Sequence, residues 1–333
     1  MKIAVFAGGV GGGRFVTALR DATSNDGHEI SVIANIGDDM WLSGLKICPD
    51  LDSIMYALAG VVDTSRGWGR RNETNRIAGE LDAYEVGWPW FTLHDLDLAT
   101  HIARTGMLHA GSTLSSATRQ LASRWPIGVT LIPASDQSVE TWVRLTDPNE
   151  PEYVHFEEWW VRLRGGGSPV SFHQKGVHFS NPSAGALRAI SDAELIILAP
   201  SNPVVSIGTM LGFGGTKCSL SGIPGLRNAV RAAPAPVVGV SPIIQGAPVR
   251  GMADVCLNVV GTPVRSSEVA KTYGARSEGG LLDGWLVDTG DAQDLDRLSG
   301  VSGRAVPLLM SNRETAEALA SEAVEFGLTL ADR

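Results

Sequence analysis

Short apolar runs ending in glycine, asparagine or serine alternate with segments of helical spacing along most of this chain. The first run, Ile3-Ala4-Val5-Phe6, breaks into a glycine cluster at Gly8, Gly9, Gly11, Gly12 and Gly13, and helix-compatible spacing follows from Arg14 to Leu19. This predicts a buried strand, a tight turn and a helix start. A second strand is predicted over 29–34, running into Asn35-Ile36-Gly37-Asp38-Asp39. Residues 45–52 read LKICPDLD, a loop in which Pro49 bars helix until Asp50. Asp50 or Asp52 then caps an apolar helix over 53–58. Residues 66–75, RGWGRRNETN, are polar and glycine-broken, a loop or short helix near a surface. Helices are expected over 74–84, 96–104 and 114–124, and a strand over 128–133.

Between 140 and 178 the pattern changes to alternation, through Trp142-Val143-Arg144-Leu145, Val154-His155-Phe156 and Trp159-Trp160-Val161-Arg162-Leu163. That predicts a small antiparallel region. The earlier pattern then resumes with a helix over 184–191, strands over 194–199, 235–240, 285–288 and 305–309, and an amphipathic helix over 314–326. Strands alternating with helices imply an α/β fold: a Rossmann-like, doubly wound, mostly parallel sheet with a small antiparallel inserted subregion. The core is assigned to residues 1–139 and 184–333, and the inserted β-rich subregion to 140–183.

Composition narrows the possible partners. The 333 residues are 44% hydrophobic and 19% charged, enough for a substantial core. A net charge of −9 argues against nucleic acid as the main partner, though not against a small nucleotide. Cys48, Cys218 and Cys256 lack metal-ligand spacing and fit free thiols in a reducing compartment. No apolar run reaches membrane-spanning length and no signal peptide opens the chain, so a cytoplasmic protein with no membrane partner is expected.

The glycine cluster is the first candidate for chemistry. Free amides and the dipole at a helix N-terminus favour a phosphate or pyrophosphate. The G-x-G-x-x-G spacing fails, because Arg14 stands where the third glycine belongs, and Asn35 replaces the ribose-holding acid of a nicotinamide site. No G-x-x-x-x-G-K-[ST] sequence is present. The polar strand ends Gly8-Gly9, Asn35 to Asp39, Ser135-Asp136, Ser201-Asn202 and Ser241-Pro242 should converge on one crevice. Asp38, Asp39, Asp50, Asp52, Asp95 and Asp97 would repel a pyrophosphate there unless a cation intervened, and Mg²⁺ resolves the conflict. One such Asp can also accept a proton from an attacking hydroxyl. His94, His101 and His109 share no metal-ligand spacing, and no nucleophile motif accompanies Ser201, which suits a phosphate donor. Trp159-Trp160 should package the small subregion. Trp41, Trp68 or Trp88 beside the acid loops would stack on a planar ring.

Several of these stretches together resemble the 2-phospho-lactate transferases of coenzyme F-420 biosynthesis, in particular the actinobacterial phosphoenolpyruvate transferase branch. They are GGVGG at 8–12, NIGDD at 35–39, ICPDLD at 47–52, RGWGRRNET at 66–74, DLDLATH at 95–101, LIPASD at 131–136, EEWWVR at 157–162, LAPSNPVVSIG at 198–208, SPIIQGAPVRGMAD at 241–254 and GLLDGWLV at 280–287. The resemblance implies transfer of a phospho-three-carbon-acid group, phosphoenolpyruvyl or 2-phospholactyl, from a guanosine diphospho-donor. The acceptor would be the ribityl hydroxyl of the deazariboflavin Fo, with Mg²⁺ bound and GMP released. It further implies that Gly8, Gly9, Gly11 and Gly12 approach the diphosphate, and that Ser201, Asn202 and Ser206 line the guanosine side. Asp50 and Asp52 would be catalytic, Asp38 and Asp50 would hold the metal, and Asp50, Asn72, Glu73, Asp95 and Thr100 would border Fo. A homodimer is also implied.

Two stretches depart from the family pattern. An Arg is usual between two acids preceded by Gly, where this chain has His94-Asp95-Leu96-Asp97; Arg66, Arg70 or Arg71 would have to supply that cation. Residues 211–221, LGFGGTKCSLS, form a longer link, read as a surface loop or a mobile lid from which Lys217 reaches phosphate. A nucleotide-binding regulatory protein, or an Fo-binding paralogue without transferase activity, is the alternative.

Overall fold

The computed structural model describes residues 1–63, 66–86, 90–249 and 251–331. Seven parallel strands form its central sheet, in the order Ser302–Val306, Gly284–Asp288, Val237–Val240, Leu195–Leu198, β1 (Lys2–Ala7), β2 (Glu29–Ala34) and Thr130–Pro133. β1 is central, with Val5 opposite Val32 on one side and Ile197 on the other. Every residue of Leu195–Leu198 and Val237–Val240 is buried. Strands covered on both faces read as continuous apolar runs rather than alternations, and these do. The chain leaves β1 towards one edge through β2, then returns to lay Leu195–Leu198 beside β1. That reversal is the switch point, and the carboxyl ends of these two strands open its crevice.

Helix α1 (Gly9–Ala22) packs against both α2 (Pro49–Leu58) and the closing helix Arg313–Ala331. Gly13 permits the first contact, since a Cβ there would lie 3.3 Å from the Ile54 Cα. Glu140–Leu145 pairs antiparallel with Tyr153–His155 and Pro169–Lys175 inside the predicted inserted region. Its buried Val143, Val154, Phe156, Trp159 and Phe172 join the core of the central sheet rather than forming their own. The Thr141 amide donates to the Gly37 carbonyl at 2.6 Å and fastens this small sheet to the loop after β2. A Cβ on Gly37 would meet the Thr209 Cγ2 at 2.5 Å and the Thr141 Oγ1 at 2.7 Å, so the joint requires glycine.

The structure corrects several boundaries. α1 begins at Gly9, so the glycine cluster is its first turn rather than a turn ahead of it. Pro49 opens α2, where its missing N–H costs nothing, and Asp50 and Asp52 lie in the first turn instead of capping it. Met40–Leu42 and Leu45–Ile47 form a hairpin in place of a loop. Trp159 and Trp160 belong to a short helix, Phe156–Val161, not a strand. Trp159 is fully buried while Trp160 is exposed. The last strand is Ser302–Val306, earlier than expected, and helices Ala253–Val260 and Ser266–Tyr273 were unforeseen. The 211–221 link forms a two-residue hairpin, Phe213–Gly214 with Ser219–Leu220, and the Lys217 amide donates to the Val260 carbonyl at 3.0 Å. No helix among the described residues is long and apolar enough to cross a membrane.

Candidate active site at the switch point

The two strands at the switch point are stitched at their ends. The Gly8 amide donates to the Ser201 hydroxyl at 3.0 Å, and that hydroxyl donates back to the Gly8 carbonyl at 2.8 Å. Asn202 caps the following π-helix Pro203–Ile207, its Oδ1 accepting from the amides of Val204 and Val205. Side chains crowd the glycines here. A Cβ on Gly8 would lie 2.5 Å from the Asp50 Oδ2 and 2.7 Å from the Ser206 Cβ; one on Gly12 would lie 2.6 Å from the Ser201 Oγ. Gly9 needs its freedom for a different reason, a left-handed φ of +64°. Gly11 is less confined, since a Cβ there would lie 3.4 Å from the Pro200 carbonyl oxygen.

The anion seated at the start of α1 is the Asp50 carboxylate. The Gly9 amide bonds to it, and Asn35 donates its Nδ2 to the Asp50 Oδ2 at 2.9 Å. Asn35 in turn accepts from the Gly37 amide at 3.0 Å. Burial pushes the Asp50 carboxyl up to about 6, against the pull of Asn35 and Gly9. Asp38 is raised well above its ordinary value, by burial first and then by Asp50 and Glu157. Glu157 is raised to about 8 by burial and by Asp50. The Asp38 Oδ1 is enclosed without a hydrogen-bond partner.

These shifts carry a stability consequence. A carboxyl whose folded pKa exceeds its unfolded value stabilises the fold while protonated and loses that contribution as pH rises through the folded value. For Asp50 the contribution is complete below 3.8 and lost through about 6; for Glu157 it is complete below 4.5 and lost through about 8. The protein should therefore lose about 3 kcal/mol from Asp50 alone on going from acid to alkaline conditions. A urea midpoint that falls between about pH 5 and about pH 8.5 is the expected result. A midpoint that rises across that window would contradict it.

Asp52 points into a separate, internally neutralised cluster. Arg104, 1% exposed by side chain, pairs with the Asp52 Oδ1, and the His101 Nδ1 lies 3.5 Å from the Asp52 Oδ2. The His101 Nε2 lies 3.4 Å from Asp97, whose other oxygen accepts from the Tyr56 hydroxyl at 2.7 Å. Asp52, Asp97 and His101 each bring a ligand atom within 4.8 Å of the others. Arg104 and Tyr56 already engage both acids, which makes the group a hydrogen-bonded ion network. Asp39 is likewise paired, with Lys46 at 3.4 Å and the Cys48 thiol at 3.1 Å.

Of the residues expected around an acceptor, Glu73, Asp95 and Thr100 lie at the start of helix Asp95–His109, while Asp50 stays at the switch point. Glu73, its side chain fully enclosed, accepts from Arg66 at 3.0 Å and from the amides of Arg70 and Asp97 at 2.9 and 2.8 Å. Asp95 accepts from the Thr74 amide and hydroxyl, which hold its carboxyl below the usual range. Thr100 is buried and bonded to Tyr56 at 2.8 Å, while Asn72 is exposed in the left-handed region at φ 65°. Arg70 directs its Nη1 to the Leu96 carbonyl at 3.0 Å. Arg66 is held by Asp63, Glu73 and His94, and Arg71 bonds the Gly60 carbonyl. Trp68, 45% exposed, meets the His94 ring edge-on, and Trp41 stacks on His109; Trp88 lies outside the described residues. Asn35 was expected at the crevice as a strand end but not as the residue that holds Asp50, and Arg104 and Glu157 were not foreseen as site residues. Of these two, Glu157 alone had a signal, two consecutive acids at 157–158 between apolar residues.

Fold and site together define an α/β protein of Rossmann type whose switch point holds the Asp38 and Asp50 carboxylates without an ion-pair partner among the described residues. The chain belongs to the 2-phospho-L-lactate transferase CofD family, whose model matches residues 3–306. It is 47% identical over 340 residues to a phosphoenolpyruvate transferase of Mycolicibacterium smegmatis, covering 99% of each chain. It is also 47% identical to one of Thermobifida fusca over 339 residues, covering 100% of each. A UPF0052-family protein from Bacillus halodurans superposes with a TM-score of 0.60 at 16% identity, covering 97% of this chain and 98% of that one, which shows the shared fold. By family, then, the protein is a transferase.

Proposed function

We propose that this transferase moves a phosphoenolpyruvyl or 2-phospholactyl group from a guanosine diphospho-donor to the ribityl hydroxyl of Fo, releasing GMP, in coenzyme F-420 biosynthesis. The observation that carries the reading is the set of buried, unpaired acids at the switch point. An orphaned Asp38 oxygen beside Asp50 suits a hard cation, so Asp38 and Asp50 are the residues that would hold Mg²⁺. When bound, the ion supplies charge neutralisation for a diphosphate.

The remaining roles belong to the chain itself. Asp50, held by Asn35 and the Gly9 amide, is suited to take the proton of the acceptor hydroxyl as its oxygen bonds to phosphorus and the bond to GMP breaks. Gly8, Gly9, Gly11 and Gly12 keep the backbone close to the diphosphate; Ser201, Asn202 and Ser206 shape the guanosine side. Asn72, Glu73, Asp95 and Thr100 border Fo, with the exposed face of Trp68 available for stacking. Catalysis of this kind is mainly positioning and charge neutralisation.

The test incubates protein with Fo and enolpyruvyl-diphosphoguanosine and follows GMP and phosphodiester product by mass spectrometry. Product that disappears with a chelator and returns with Mg²⁺ is expected. Fo binding without GMP release from any three-carbon donor would overturn the catalytic reading in favour of an Fo-binding paralogue, which the Leu96 departure leaves open.

A further inference from the structure

The two sides of the proposed reaction are carried by different helices. Asp50 lies in the first turn of α2, whereas Asp95 and Thr100 belong to helix Asp95–His109. Tyr56, further along α2 and 2% exposed, joins the two. Its hydroxyl meets the Asp97 Oδ1 at 2.7 Å and the Thr100 Oγ1 at 2.8 Å. Its ring is held independently, edge-on to Trp125 and facing the Arg70 guanidinium. Asp97 is tied onward to the loop that carries Asn72, because its amide donates to the Glu73 carboxylate at 2.8 Å.

The chemistry of these groups fixes where the protons go. A phenol has one proton to give, and an ionised carboxylate can only accept. Against burial, hydrogen bonds from His101 and Tyr56 hold the Asp97 carboxyl below its ordinary value, so it is ionised and takes the Tyr56 proton. The Thr100 hydroxyl must then donate to the Tyr56 oxygen. Its proton is committed away from any ligand, and what Thr100 keeps to offer is a lone pair. We propose that Tyr56 is a positioning residue of the acceptor site, holding the Thr100 hydroxyl as a hydrogen-bond acceptor for an N–H or O–H group of Fo. This rests on the acceptor reading given above and adds the polarity of one contact and the residue that sets it. Because Tyr56 and Asp50 share one helix, the anchor of the acceptor and the group that takes its proton keep a fixed spacing.

The test titrates the full chain with Fo by calorimetry, for wild type, Tyr56→Phe, Thr100→Val and the double variant. Tyr56→Phe keeps the ring and removes only the hydroxyl. Each single variant should bind Fo about tenfold more weakly. The double variant should bind no more weakly than the worse single one, since both changes break the same contact. Thr100→Ser, which keeps the hydroxyl, should bind like wild type. In transfer assays Tyr56→Phe should raise the KM for Fo and leave the KM for the guanosine diphospho-donor unchanged. Losses that multiply in the double variant would make the two residues independent and overturn the proposal. So would wild-type affinity in either Tyr56→Phe or Thr100→Val. A Tyr56→Phe protein that melts lower and raises both KM values equally would assign the hydroxyl a structural role and also overturn it. Wild type that binds no Fo would bring down the acceptor reading itself, and the proposal with it.

Discussion

Asp50→Asn is expected to lower transfer by about 10³-fold or more while leaving the fold intact. The residue combines three properties that no other described acid shares. It lies at the switch point, its carboxylate is held by Asn35 and the Gly9 amide, and burial brings its pKa to about 6. Asparagine keeps the shape but neither takes a proton nor offers a charged ligand. The same change removes an unpaired buried carboxylate, so stability above about pH 6 should hold or rise. The rate of GMP release and the urea midpoint separate the two effects. Near-wild-type turnover in a well-folded Asp50→Asn protein would remove Asp50 from the chemistry.

Arg104→Met should be the most damaging single change to stability, costing about 3–5 kcal/mol. Arg104 is enclosed between Asp52, His101 and the Lys46 carbonyl. Burial drives the Asp52 carboxyl up, and Arg104 first, then His101, pull it back. Without the guanidinium, Asp52 faces Asp97 across His101 with one cation fewer. Removing both partners avoids the uncompensated charge, so Asp52→Asn with Arg104→Met should be markedly more stable than Arg104→Met alone. Denaturant titration of the single and double variants gives the comparison. A cost below about 1 kcal/mol for Arg104→Met would mean that the cluster contributes little.

The parallel sheet was legible because its central strands carry their own signature. Ile3 to Phe6 and Leu195 to Leu198 are unbroken apolar runs, as expected of strands covered on both faces. Where the period was ambiguous the reading failed. Trp159-Trp160-Val161 alternates well enough for a strand, yet Phe156 and Trp159 are three residues apart and share one buried helical face. Pro49 reads as a barrier in the sequence but is the residue that starts α2.

At the candidate site, the gathering of Gly8, Ser201 and Asp50 followed from the rule for strand ends. The partnering of individual acids did not, since it depends on contacts across tens of residues. Asp50 and Asp52 are two apart and similar in sequence context. The first helical turn sends one to Asn35 and the other to Arg104, 52 residues away. The need for Gly8 and Gly12 was visible, but its cause, close approach by Asp50, Ser206 and Ser201, is tertiary.

The stitch between Gly8 and Ser201 joins residues 193 positions apart. During synthesis β1 and β2 can pair early, because both lie within the first 34 residues. The other flank of β1 stays open until Leu195–Leu198 has been made, leaving a central apolar strand edge uncovered while the residues between them are synthesised. Closure of so distant a contact is slow by its loop length alone. The crevice is consequently among the later parts of the molecule to be finished, and the interval before it closes is when a nascent chain most needs shielding from its neighbours.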